Sequence, residues 1–249
     1  MNATEASFSV NVDAANPAQF FACCGLLELA ARAWPGAEGC FHHGVFSVFA
    51  PAASENALAE LVQRLASSPL HADDLRGDSA TRPVTLAAFD ITLDWWIRPR
   101  GAKTPLKLWA GQQSALTIAE TLRLALAEMN SIDGARVFDQ AQALTGRFGL
   151  DPRSAWNALD VGFSPNDQGM QVATFPAVEL LAAVGLQRFP PVQAAQGEWH
   201  YSLWNVPLSP AVARAAAAGS VPSIFVEARA FRIIRRSGSY KGFDFAHPL

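Results

Sequence analysis

Residues 16–34, NPAQFFACCGLLELAARAW, are the stretch on which the fold turns. Asn16 is a helix-capping residue and Pro17 suits a first helical turn, where its missing amide costs nothing. Phe20, Cys24, Leu27, Ala31 and Trp34 then recur on one helical face, and Phe21, Leu26 and Leu29 widen that stripe. The charged residues Glu28 and Arg32 sit four apart and read as a surface pair. Trp34-Pro35-Gly36 stops the helix. A helix this apolar needs a second apolar layer, and the flanking sequence supplies strands. Phe8 to Asp13 alternates apolar with polar, and CFHHGVFSVFA (40–50) is β-rich, a strand or hairpin.

Further along, Ser54 can cap a helix carrying Leu58, Leu61, Val62 and Leu65, and 68–82 reads as a polar loop. Phe89, Ile91, Leu93 and Trp95 alternate with Asp90, Thr92 and Asp94 as a strand over 89–95. A strong helix follows over about 113–129. Asn157 to Phe163 reads as a strand and 164–169 as a turn-rich loop. Pro176 opens an apolar helix over 176–187. Trp199, Tyr201 and Leu203 mark a strand, and Ser209-Pro210 caps a short Ala-rich helix stopped by Gly219. Ile224 to Arg236 is a long strand whose alternation slips near Phe231, as at a bulge, before a turn at 237–239. The expected class is α+β: a mixed or antiparallel sheet with apolar helices packed on it.

The chain is expected to form one compact unit over 1–249. An internal echo raises two similar halves, 1–150 and 151–249. QFFACCGLLE (19–28) aligns without gaps on ELLAAVGLQR (179–188), with Gly25 on Gly185, Leu26 on Leu186 and Ala22 on Ala182.

Half of the 249 residues are hydrophobic and 16% are charged, the opposite of a disordered chain. No apolar run of about 18 residues appears, so no membrane span is predicted. Met1 to Ser9 lacks a basic start and an apolar signal core. Three cysteines, two of them adjacent, fit no disulfide framework and point to a reduced cytoplasm.

Catalytic constellations are weak. Cys23, Cys24 and Cys40 with His42 and His43 lack CxxC or HxxxH spacing, and zinc needs about four convergent ligands. A cysteine nucleophile needs a base in a motif, and His42, His43, His71, His200 and His247 stand in none. Cys24 in an apolar helix is expected to be an inert thiol with a raised pKa. Asp90 and Asp94, read on one strand face beside Trp96, form a carboxylate pair of the kind that holds Mg²⁺ for phosphoryl chemistry. They carry the rival reading, a metal-dependent hydrolase or nuclease. No Walker loop or GxGxxG precedes a helix. No catalytic residue, metal or cofactor is therefore assigned.

The clearest signal is charge segregation. Residues 98–107 (RPRGAKTPLK) and 229–241 (RAFRIIRRSGSYK) carry 9 of the 19 basic residues and no acid, leaving 10 basic against all 22 acidic residues elsewhere. A basic face on an acidic body is the footprint of a polyanion binder. Arginine forks suit phosphate, hydroxyls add contacts, and aromatics stack on bases. Arg98, Arg100, Lys103, Lys107, Arg232, Arg235, Arg236, Tyr240 and Lys241 are the candidate nucleic-acid contacts.

The stretch NPAQFFACCGLLELAARAWPGAEGCF (16–41) resembles the short large-subunit (Cas8-like) family of type I-U, or I-G, CRISPR effector complexes. Looser similarity covers FPAVELLAAVGLQRF (175–189) and RRSGSY (235–240). The resemblance implies a subunit of a crRNA-guided surveillance complex, near the crRNA 5′ end, beside Cas5/Cas6-like and Cas7-like subunits. It implies a role in recognising the protospacer-adjacent motif, holding target double-stranded DNA and recruiting the helicase-nuclease, without cleaving DNA. Gln112, Gln113 and Asn166 are the loop side chains expected to read base edges. A third reading is a structural adaptor that docks protein through an apolar face.

Overall fold

In the computed structural model, which describes residues 5–73, 78–109, 113–129, 131–154, 172–194, 197–221, 225–237 and 240–249, Asn16 caps helix α1 (Pro17–Ala33). Its Oδ1 accepts from the backbone amides of Ala18 and Gln19 at 3.0 and 3.3 Å. Every residue from Pro17 to Ala30 is buried, so α1 is covered on all sides and not along one stripe. Phe20 and Phe21 face one layer, packing on Tyr201 at ring separations of 4.2 and 5.9 Å. Helix α4 (Pro176–Arg188) packs along α1 on the face that holds Phe21, Gly25 and Glu28.

Two glycines set that crossing. A Cβ on Gly25 would lie 2.1 Å from the Leu181 carbonyl oxygen, and one on Gly185 would lie 1.9 Å from the Phe21 carbonyl oxygen. Each helix backbone rests in the other's glycine notch, and the two contacts are equivalent under the 19–28/179–188 alignment. Glu28, expected on the surface, is buried in this seam. It accepts from Arg32 at 2.9 Å and from Arg188 of α4 at 3.0 Å. The i,i+4 pair is thus half of an interhelical clasp, because α4 covers the face that periodicity alone leaves to solvent.

The described strands form four sheets, and every pairing among them is antiparallel. The first has β1 (Phe8–Asn11), β2 (Glu38–His42) and β3 (Val45–Phe49) in the order β1-β3-β2. The β2–β3 turn puts His43 and Gly44 at φ 47° and 76°, the left-handed pair that matches hairpin twist. The largest sheet runs β12 (Tyr240–Phe243), β11 (Phe225–Ser237), β10 (Glu198–Trp204), β9 (Val192–Gln193), with β13 (His247–Pro248) also on β11. β4 (Leu70–Ala72), β5 (Val84–Leu86) and β6 (Ile91–Leu93) form the third, and β7 (Gln142–Leu144) pairs with β8 (Val172–Thr174). Helices α2 (Ala57–Ala66), α3 (Ala115–Ala127) and α5 (Pro210–Ala217) complete the described α-helices, with 3₁₀ turns at Ala87–Phe89 and Pro152–Ser154. The chain is α+β. One hydrophobic cluster takes residues from both halves, from Phe8 through Ala246.

Several local expectations are corrected. The 68–82 loop contains β4, whose three residues pair with β5 through backbone bonds that composition does not reveal. The strand over 89–95 is shorter. Ala87–Phe89 is a 3₁₀ turn, Asp90 is left-handed at φ 50°, and only Ile91–Leu93 is extended. β11 does not slip at Phe231, which pairs in register with Trp199; the irregularities fall between Leu203 and Trp204 and between Arg235 and Ser237. The expected strand and loop over 157–169 lie outside the described residues. No described helix is long and apolar enough to cross a membrane.

Candidate nucleic-acid interface

Residues 97–104 form a tight loop. Ile97 bridges Lys103, and the Arg98 amide bonds the Ala102 carbonyl at 2.7 Å. Gly101, at φ 81°, turns the chain so that Arg98 and Arg100 project at the exposed tip. Trp95 and Trp96 do not join them. With Trp109 and Phe148 they form a buried aromatic cluster, and the Trp96 indole donates to the Thr81 carbonyl at 2.8 Å. The tryptophans beside the basic loop are its foundation, and bases cannot reach them.

The second basic segment is spread along β11 and β12, where alternation divides it between two faces. Ile233 and Arg235 share one face with Phe231 and with Phe243 and Lys241, the partners of Ile233 and Arg235 on β12. Arg232 takes the opposite face, where Glu198 of β10 accepts from it at 2.6 Å. Arg236 and Tyr240 stand in β11 and β12.

The two basic segments, more than a hundred residues apart, meet in space. The Lys241 amide donates to the Leu108 carbonyl at 3.2 Å. Lys107 is held below the ordinary lysine pKa, first by burial and then by repulsion from Lys103 and Lys241, with Asp78 opposing. Its ammonium donates to the Trp109 carbonyl and lies 4.8 Å from the Trp109 ring centre. Lys103 is exposed and pairs with Asp78 at 3.1 Å. Lys103, Lys107, Arg235 and Lys241 are therefore one patch, with Arg98 and Arg100 on the adjoining loop, and Arg232 faces away.

Between the segments lies an open cleft of about 310 Å³, lined by Pro105, Gln193, Trp199, Ile233, Arg235 and Lys241. Gln193 and Trp199 are absent from the sequence-based candidates. Trp199 reads as a core position by alternation, and only the β9–β10–β11 pairing sets it beside Arg235. Of the candidate base readers, Gln113 donates to the Thr145 carbonyl at 2.8 Å, while Gln112 and Asn166 lie outside the described residues.

The rival sites are otherwise arranged. Asp90 and Asp94 are not side by side on a strand, because the left-handed Asp90 precedes β6. The Asp94 carboxylate accepts from Gln187 at 2.9 Å, and the Asp90 carbonyl accepts from Arg32 at 2.8 Å. Both line a polar cleft with Asp73, Arg32 and Arg188. Among the described residues, no group of three or more His, Cys, Asp or Glu is placed to hold a metal ion. Cys23 and Cys24 are fully buried, and burial pushes both thiols well above their ordinary pKa.

A buried carboxylate also went unnoticed in the sequence. Glu179 of α4 accepts from the backbone amides of Gly149, Leu150 and Asp151 at 2.9–3.1 Å, and burial raises its pKa to about 7. It occupies the position equivalent to Gln19 of α1, whose Oε1 accepts from the Asp13 amide at 2.6 Å. Both side chains hold an incoming loop at the start of a core helix.

Comparison of the chain with protein-family models, with curated proteins and with solved structures finds no match in any of the three.

Proposed function

We propose that this chain is a non-catalytic, cytoplasmic nucleic-acid-binding subunit of a type I-U CRISPR surveillance complex. In that role it assists recognition of target DNA and its adjacent motif and recruitment of the helicase-nuclease. The observation that supports the binding reading is the convergence of the two basic segments at the Lys241–Leu108 contact. Gathering like charges is unfavourable by itself, and a polyanion relieves that repulsion. The assignment to this kind of complex rests on the sequence resemblance over 16–41.

Phosphate contacts release condensed counterions, so duplex binding by the full chain should weaken with salt at a slope of about −0.9 per contact. Replacing Arg235 and Lys241 together by alanine should flatten the slope by up to about two and weaken all sequences alike, since backbone contacts carry no base information. An unchanged affinity and slope would refute the reading. Purification from the native host tests the complex itself: Cas5/Cas6-like and Cas7-like subunits and crRNA should accompany the chain. Their absence would sink that part of the proposal and leave the basic patch standing.

A further inference from the structure

The packed face of the largest sheet runs past its cover. On this face Phe231 and Phe243 meet edge to face at 4.7 Å, and Phe21 of α1 packs on Phe231 at 6.2 Å. One step further along β11 comes half-buried Ile233, and one step beyond it comes exposed Arg235, opposite Lys241. Beside them Trp199 of β10 is registered against Phe231 and against Gln193 of β9. The result is the 310 Å³ cleft, with an apolar floor of half-buried Ile233 and exposed Pro105, which only an edge of the buried Trp199 reaches, an amide at one side and two cations at the rim. None of its lining residues is acidic. The nearby carboxylates are engaged elsewhere: Glu198 holds Arg232 on the other face and Asp78 holds Lys103.

We infer that this cleft takes an unpaired nucleotide of a single strand, its base against Ile233 and Pro105 and its phosphate between Arg235 and Lys241. This rests on the nucleic-acid reading above and names the form of nucleic acid. A duplex presents phosphates to any basic surface, but its base faces are stacked inside and cannot reach an apolar floor. A single strand offers both at once. Gln193 carries one acceptor and one donor group, which suits the edge of any base and gives little sequence preference.

The test compares full-length protein binding a labelled oligo-dT of about ten nucleotides and a blunt duplex of the same length at matched salt. Gln193→Trp fills the cleft from an exposed edge position without touching a cation. The single strand should bind roughly tenfold tighter than the duplex, and Gln193→Trp should remove that advantage while leaving duplex binding unchanged. Ultraviolet cross-linking of a 4-thiothymidine oligonucleotide to the unmodified protein gives a readout that needs no variant; its cross-links should map to β9–β12. Equal affinity for strand and duplex, with cross-links only outside β9–β12, overturns the cleft assignment and leaves the basic patch intact. No binding of either form overturns both readings. Competition by thymidine monophosphate at the strand's own affinity overturns the assignment to a strand.

Discussion

Adding one methyl group to Gly25 tests the centre of the fold. A Cβ there would lie 2.1 Å from the Leu181 carbonyl oxygen and 2.9 Å from its carbon, and the partner atoms are backbone. Contact at an ordinary separation needs well over an ångström more, so α1 and α4 must move apart along their whole buried interface. Overpacking a core usually costs about 1–3 kcal/mol when side chains can yield. Here none can, so the cost lies at or above the top of that range. Alanine's better helix propensity returns about 1 kcal/mol. The net expectation for Gly25→Ala is a loss of roughly 2–3 kcal/mol, a large fraction of the 5–15 kcal/mol that holds a typical domain. Gly185→Ala should lose a similar amount, since its Cβ would meet the Phe21 carbonyl at 1.9 Å. Both substitutions push the same helices apart, so the double variant should lose clearly less than the sum. Gly146→Ala is the control. Its nearest neighbour is the Thr121 hydroxyl at 3.4 Å, and its effect should stay within about 0.5 kcal/mol. Urea unfolding followed by circular dichroism reads all four. Stabilities of Gly25→Ala and Gly185→Ala equal to that of the control, or strict additivity in the double variant, would refute the glycine-notch account.

Glu179 binds its proton more tightly in the folded state, at about 7 against 4.5 for an ordinary glutamate. The contribution of Glu179 to stability should therefore be fully present below about pH 4.5 and fall as pH rises towards 7, by up to roughly 3 kcal/mol, and Glu179→Gln should remove that fall in urea titrations across pH. Arg232→Ala should leave the salt dependence of nucleic-acid binding nearly unchanged, because Arg232 faces away from the patch, and a slope change as large as that of Arg235→Ala would contradict the division of β11 into two faces. Cys24→Ala should destabilise by roughly 1 kcal/mol without altering binding per folded molecule, whereas loss of binding in a stably folded variant would assign Cys24 a role in the site.

The α+β class was legible because its signals are local. Asn16-Pro17 starts a helix wherever it is placed, and alternation at Phe8–Asn11 and Glu198–Trp204 specifies strands through two-residue periodicity. The charge segregation of 98–107 and 229–241 is likewise a property of the linear chain, as is the echo that aligns Gly25 with Gly185. Tertiary structure decided what each signal means. Glu28 and Arg32 have surface spacing, yet the arrival of α4 buries Glu28 between two arginines. Glu179 looks like one more helical acid until the Gly149–Asp151 backbone closes over it. Trp95 and Trp96 look like stacking platforms beside a basic loop, and packing on Trp109 and Phe148 turns them into core. Arg232 and Arg235 belong to one basic run in sequence and to opposite sides of a sheet in space, because strand alternation projects neighbours apart. Periodicity says which residues share a face of one element; only long-range pairing, Trp199 with Phe231 or Lys241 with Leu108, says which faces meet.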